Sequence, residues 1–464
     1  MEQGLFTGMF DDKRLDARCE QIFSGMVSKK SAVLHKSMAT RSALLGAYRF
    51  MNHKKVSYEP MRDHLTSFWP KAGKSILCLQ DTSELNFCWH SHTLKINDTH
   101  IGPVGNNEDP GFFMHPSLCL DMADGFPLGF SDVLLYNRSW QKADKGQRKY
   151  KNQPIEEKES YRWIQRAQES KRKLQQADYV LLISDGESDI FQLFDRLPDA
   201  KSDVLIRLSQ DRLIYDSAGN KQKLSEKLAS IESFPFDLPI AKSGQRKKQV
   251  AKLAVKFSSV QIARPKNGAK QASKSLTMAV IEAKQQASSV VKGEEPILWR
   301  LITSRRVENL QQAVECLQYY GLRWRIEELI GLVKSQAMEV EQSQLNQGKA
   351  LKTTVMLALQ AALQIMQLKQ GRNNTAQAAR LAFTGKQLAF MKLLCQTLQG
   401  KTVKQQNPYP EDSMAYAAWI IGRLGGWKGL YSQGPPGIRS FAWGLRIFQQ
   451  QFEGFLMGQK FSSA

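Results

Sequence analysis

The chain has 464 residues, 42% hydrophobic and 23% charged, with a formal net charge of +21 and a pI near 9.6. Such a length and apolar content allow a large core in roughly two or three domains and exclude a disordered polyelectrolyte. The excess of 65 Lys and Arg over 44 Asp and Glu calls for a polyanionic partner. Nucleic acid is favoured over a membrane surface, because the charge is spread along the whole chain.

The first 65 residues read as basic helices. Asp12, Lys13, Arg14 and Arg18 open one, and the stretch Ser42–His53, with Tyr48 and Arg49, closes the region. Arg41, Lys54, Lys55 and Arg62 add charge, so residues 1–65 are expected to form a helical N-terminal DNA-binding domain. From Lys74 the pattern changes to strands: SILCLQD ending in Asp81, then PSLCLDMA and PLGFSDVLLYN. CWHSH (Cys88, His90, His92) lacks a second ligand pair at a zinc spacing. The six cysteines are scattered without a C-x-x-C pair and read as reduced, mostly buried thiols.

A charged segment, Lys142–Lys173, contains the helix EEKESYRWIQRA. DYVLLISDGESDIFQLFDRL reads as buried strand, turn and helix, and DVLIRLSQ, with Arg207, as the next strand. Residues of about 210–304 read as a β-rich, basic insertion that ends with Trp299 in the strand ILWRLITS. YYGLRWRIEELIGLVKSQ (Tyr319–Gln336) follows as one helix, then ALKTTVMLALQAALQIMQL as another. The C-terminal segment, residues 371–464, is expected to be helical, with enough aromatic surface for a partner. No signal core and no run of about 20 apolar residues is present, so a cytoplasmic chain without a membrane span is expected.

At about 100° per residue, Tyr320, Arg323, Glu327 and Lys334 share an arc of about 60°. Leu322, Ile326, Leu329, Ile330 and Val333 fill the neighbouring arc as a core stripe. A solvated Arg323–Glu327 ion pair is the bland reading of that polar face. Asp81 and Asp185 supply a sharper one, since each ends an apolar strand, where α/β sheets gather ligands and catalytic groups. Helix capping is the competing role for Asp185, although Ser184-x-x-Glu187 also fits a capping box and would leave that carboxylate free. Two aspartates and a glutamate are hard oxygen ligands suited to Mg²⁺ and to phosphoryl displacement.

The spacing Y-x2-R-x3-E-x6-K over Tyr320–Lys334 resembles the signature of the insertion-sequence-four family of bacterial DDE transposases. LQDTSEL and ISDGESDI resemble that family's two aspartate segments. GAYRFMNHKKVS, EKESYRW and AYAAWIIGRLGGW resemble further segments in the same order, from about Asp12 to about Phe455. The resemblance implies an α/β, RNase H-like mixed-sheet catalytic core over residues 66–370, with the β-rich insertion inside it and a dimerisation domain over 371–464. It implies that Asp81, Asp185 and Glu327 hold two Mg²⁺ ions, for which Mn²⁺ can substitute.

The implied activity is cut-and-paste transposition by a metal-dependent endonuclease and strand transferase. One strand is nicked at the terminal inverted repeat, the freed 3′-OH forms a hairpin, the hairpin opens, and the 3′-OH end joins target DNA. Tyr320, Arg323, Lys334 and Trp324 are the implied contacts to the transposon end, and Arg207 an active-site arginine. Trp299 is the implied receptor for a flipped base, a role an aromatic face can fill. Arg14, Arg18, Tyr48 and Arg49 match end-binding positions, and a homodimer would hold two ends together. Gly331 stands where the best-known family member has a lysine. A non-catalytic, DNA-end-binding regulator derived from a transposase is the alternative.

Overall fold

In the computed structural model the described residues are 4–67, 69–94, 98–105, 107–141, 153–240, 249–266, 272–291, 293–430 and 433–462, the side chains of His90, Lys404 and Lys460 excepted. Residues 243–248 of the basic loop SGQRKKQ, the middle of ARPKNGAKQASK and residues 142–152 of the charged segment lie outside them. Among the described residues, no helix is long and apolar enough to cross a membrane. Among the described residues the six cysteines form no disulfide, and five of them are buried.

Helices α1 (Lys13–Lys29), α2 (Leu34–Ser37), α3 (Arg41–Met51) and α4 (Tyr58–Ser67) open the chain. Asp12 caps α1 by accepting the Arg14 N–H at 2.9 Å, and Thr40 caps α3 through the Ala43 N–H at 3.1 Å. Strands β1 (Ser75–Gln80), β2 (Ser83–Asn86), β3 (Gly102–Val104), β4 (Asp109–Asp121) and β5 (Pro127–Tyr136) follow. Next come α5 (Tyr161–Lys173), β6 (Tyr179–Ser184), α6 (Phe191–Arg196) and β7 (Ser202–Arg207). The predicted β-rich stretch contains β8 (Leu213–Tyr215), β9 (Lys221–Lys223), α7 (Leu224–Ala229), β10 (Phe234–Ile240), β11 (Gln249–Ala263), β12 (Ser275–Gln285) and β13 (Leu298–Thr303). Helices α8 (Leu310–Gly321), α9 (Trp324–Gly331), α10 (Gly348–Gly371), α11 (Gly385–Leu398), α12 (Met414–Leu424) and α13 (Ile438–Ser462) complete the chain.

The chain divides into two compact units. The first comprises Met1–Pro70, Thr82–Lys142 and Ile326–Ala464. Its centre is α10, whose Ala, Leu, Met and Gln residues are strong helix formers and whose side chains are buried nearly all round. Helices α1, α4, α12 and α13 pack on it. Lys352 lies inside this core, 4% exposed, and donates to Asn137 Oδ1 at 2.9 Å. Burial pulls its pKa down to about 8. Strand β4 pairs antiparallel with β2, β3 and β5 in the same unit.

The second unit comprises Lys71–Asp81 and Ala143–Arg325 and holds a large mixed sheet. Strands β1, β6 and β7 run parallel, and their apolar runs are buried along nearly their whole length. From β7 the sheet continues antiparallel through β13, β12 and β11, with β8 and β10 pairing β11 and β9 pairing β8. Strand β10 carries Pro235 and Pro239, which cannot donate to a neighbouring strand and so suit an edge.

The expected single helix over Tyr319–Gln336 is divided in three. Helix α8 ends at Gly321, α9 starts at Trp324, and Leu332–Gln336 form a π-helical turn in which the Ala337 N–H bonds the Leu332 carbonyl at 3.2 Å. A uniform 100° per residue therefore does not run through the stretch, and the 60° arc is not a property of the folded chain. Of the expected core stripe, Ile326, Leu329 and Val333 are buried, whereas Leu322 and Ile330 are only half-buried.

Candidate nuclease site and DNA-binding surface

The second unit brings three charged residues into line at one sheet edge. Strands β1 and β6 pair in a constant register from Ser75 opposite Tyr179 to Leu79 opposite Ile183. Continued past the strand ends, it sets Asp81 level with Asp185. Strands β6 and β7 pair from Val180 opposite Ser202 to Ser184 opposite Ile206, which continues to Asp185 and Arg207. Parallel neighbours lie about 4.8 Å apart, so the two aspartates and the arginine leave the same end of the sheet on adjacent strands. That end is the carboxyl edge expected from the sequence.

Asp185 is half-buried, and its Oδ1 accepts the Glu187 N–H at 3.0 Å as the cap of the short turn Gly186–Ser188. The capping box expected at Ser184 is thereby corrected. The Ser184 hydroxyl meets Ser188 Oγ at 2.5 Å instead, and Asp185 is the cap. One carboxylate oxygen is used in this way, and a carboxylate has acceptor capacity left on the other. Glu187 in turn pairs with Arg162 of α5 at 2.8 Å.

Arg323 sits in the two-residue break before α9, with its side chain 8% exposed, and its Nη1 lies 3.4 Å from Asp81 Oδ2. Its guanidinium also lies 5.8 Å from the Tyr320 ring centre and 5.4 Å from that of Trp324. Tyr320 is 2% exposed and meets Trp299 edge to face, ring centres 5.6 Å apart. Burial pushes the Tyr320 phenol above its usual pKa, against the opposing pull of the Arg323 and Arg207 cations. Trp299 is half-buried on β13, and Trp324 is 59% exposed. Of the residues expected to grip DNA in this unit, Arg207 and Trp324 face solvent, while Tyr320 and Arg323 do not.

Glu327 and Lys334 belong to the first unit. Glu327 lies in the first turn of α9 and is half-buried. Lys334, in the π turn, donates to the Glu84 carbonyl at 2.9 Å and pairs with Glu341 at 3.2 Å. Gly331 immediately precedes that turn, and a Cβ there would meet only the end of the Gln336 side chain, at 3.0 Å. Among the described residues, no three His, Cys, Asp or Glu side chains converge on a point where one ion could sit. Asp81 and Asp185 do fit a hard divalent cation by donor chemistry and by their shared sheet edge.

The N-terminal helices present a second surface. Arg14 is 93% exposed, and Arg41, Arg49, Lys54 and Lys55 are exposed as well. Arg18 and Tyr48 are half-buried. Arg18 donates to Gln21 at 2.6 Å and lies over Gly46 of α3, where a Cβ would come within 2.6 Å of Nη1. Glycine at 46 thus permits the close approach of Arg18 and α3. Positions 41, 45 and 49, one turn apart on α3, form an exposed face of Arg41, Leu45 and Arg49.

Residues 5–56 match the transposase DNA-binding family, a segment that holds all four expected N-terminal contacts. One solved structure similar to this chain is a cryo-EM structure of a piggyBac transposase synaptic complex with hairpin DNA. The match has 9% identity and a TM-score of 0.43, covering 98% of this chain and 75% of that one. Similarity at that level does not establish a common fold.

Sequence reasoning missed Asp189 and Arg212, a buried ion pair in the second unit with side chains 0% and 6% exposed. Both lie in polar stretches that read as turns, and nothing in residue type separates a buried aspartate from a solvated one. Glu20 of α1 was also missed. Burial lifts its pKa to about 7, against the opposing pull of a hydrogen bond from the Phe6 backbone.

Proposed function

We propose that this chain is a DNA transposase of the DDE type that cuts transposon ends through a hairpin intermediate and joins them to target DNA. The observation that carries the reading is the transposase DNA-binding match over residues 5–56, on a chain whose more distant Asp81 and Asp185 leave adjacent parallel strands side by side. The sequence resemblance to the insertion-sequence-four family, and within it to the transposase of transposon Tn-five, supplies the finer assignment. That assignment includes an RNase H-like core and homodimerisation through the C-terminal helices.

Asp81 and Asp185, with Glu327 assigned by the resemblance, would hold two Mg²⁺ ions, or Mn²⁺ in their place. When bound, such ions activate the attacking oxygen and neutralise charge at the scissile phosphate. The protein's own groups do the rest. Arg323 holds Asp81 in place before DNA arrives. Arg207, exposed at the same sheet edge, is available to a phosphate of the cut strand. Trp299 offers a half-buried ring against which an extruded base can stack, and Trp324 an exposed one. Lys334 contributes a cation near the transposon end. Arg14, Arg18, Tyr48 and Arg49 hold the terminal inverted repeat.

The second reading, a regulator that occupies ends without cutting, shares the DNA-binding surface and differs only in chemistry. The two separate on duplex DNA carrying the inverted repeat that flanks the coding sequence. Wild type and Asp81→Asn should bind it equally. Only wild type should nick it in Mg²⁺. Binding without any wild-type nicking would support the regulator and defeat the enzyme reading.

A further inference from the structure

The turns that follow β6 and β7 are tied together by one buried carboxylate. Asp189 accepts the Ser209 N–H at 2.9 Å, the Gln210 N–H at 3.1 Å and the Ser209 hydroxyl at 3.3 Å, all on Oδ2. Its Oδ1 accepts Arg212 Nε at 2.6 Å, while Arg212 Nη2 donates to the Asp189 carbonyl at 2.7 Å. The Arg212 guanidinium also lies 5.1 Å from the Phe194 ring centre. The two turns touch at Gly186, where a Cβ would stand 3.0 Å from Ser209 Cβ. Asp185 begins the first turn, and Arg207 ends β7 just before the second. Strand pairing sets Asp185 level with Arg207, which also pairs with Leu301 of β13, while Asp189 and the missing side chain at 186 fix how closely the turns beyond them pack.

We propose that Asp189 is a positioning residue for DNA cleavage, clamping the turns beyond Asp185 and Arg207 so that the Arg207 guanidinium is presented to a phosphate of the strand being cut. The proposal rests on the transposase reading. It differs from a purely structural role for Asp189 in one respect: its effect must pass through Arg207.

The test uses the full chain and duplex DNA carrying the flanking inverted repeat. End affinity is measured against salt concentration without divalent metal, and single-turnover cleavage in Mg²⁺. Arg207→Ala should flatten the slope of log affinity against log salt by about 0.9, the contribution of one phosphate contact. Asp189→Asn and Gly186→Ala should each flatten it similarly and slow cleavage roughly 10- to 100-fold, as small misplacements in a site do. Combined with Arg207→Ala, neither should flatten the slope further or change the rate by more than about 3-fold, the non-additivity of residues acting through one group.

Asp189→Asn leaves Arg212 buried without its partner charge and can fail to fold. Gly186→Ala keeps the ion pair and wedges the same two turns, so it then decides the matter alone. Folded variants that keep the full salt slope, or that lose the same factor with and without Arg207, overturn the proposal. A wild-type chain that cuts nothing overturns the parent reading and this proposal with it, an outcome distinct from wild-type cutting with additive variants.

Discussion

Asp185 has two jobs in this account, and substitution separates them. Its Oδ1 caps the turn Gly186–Ser188 through the Glu187 N–H at 3.0 Å, and its charge serves the cation site. Asparagine caps a turn about as well as aspartate, whereas alanine removes the cap at about 1 kcal/mol. Asp185→Asn should therefore melt within a degree or two of wild type, and Asp185→Ala only a few degrees lower, because 1 kcal/mol moves a large domain's Tm by about 2–4 °C. Cleavage should not follow stability. Losing the carboxylate's charge should slow both variants alike, by about three orders of magnitude or more, equivalent to about 4 kcal/mol of transition-state stabilisation. Thermal melts and single-turnover end cleavage in Mg²⁺ measure the two effects independently. Near-wild-type cleavage by Asp185→Asn, with loss confined to Asp185→Ala, would make Asp185 a cap alone and remove it from the chemistry.

Three further outcomes follow from other residues. Glu327→Gln should abolish cleavage while end binding by gel shift persists; a variant that merely fails to fold would favour a structural ion pair. Trp299→Ala should retain nicking better than hairpin formation, since only the latter requires an extruded base; equal losses at both steps would count against base flipping. Glu20→Gln tests the buried carboxyl of α1. The folded pKa of about 7 lies above the ordinary 4.5, so the native state holds the proton more tightly. Wild-type stability should accordingly fall as pH rises from about 4.5 to about 7, by up to ~3 kcal/mol. Urea unfolding should show Glu20→Gln matching wild type at pH 4.5 and exceeding it at pH 8, and parallel curves would refute the burial argument.

The apolar runs of β1, β6 and β7 were legible because strands buried on both faces are nearly continuous in Val, Ile and Leu, and so was the position of Asp81 and Asp185 just beyond two of them; β11 was legible instead from its alternation of buried and exposed residues. Their alignment was not legible, since a one-residue difference in register is invisible in composition yet decides whether two acids sit level. The polar face of Tyr319–Gln336 was read on an ideal helix. The break at Leu322–Arg323 directly follows Gly321 and the π turn at Leu332–Gln336 directly follows Gly331, the two weakest helix formers of the stretch, a signal that the periodicity reading passed over. Choosing between Ser184 and Asp185 as the cap depended on Ser188, a partner four residues away that offers Ser184 a better bond. The basic α1 and α3 residues were readable from charge alone, and the transposase DNA-binding match over 5–56 falls on them.

The central claim is that this chain cuts DNA ends in a fixed order of chemical steps. A time course on end-labelled, inverted-repeat duplex, resolved on denaturing gels, reads that order directly. The account predicts a single-strand nick first, a hairpin second and an opened end last, all dependent on Mg²⁺ and all absent from Glu327→Gln. Stable binding of the duplex with no divalent-dependent strand breakage at any time would contradict it.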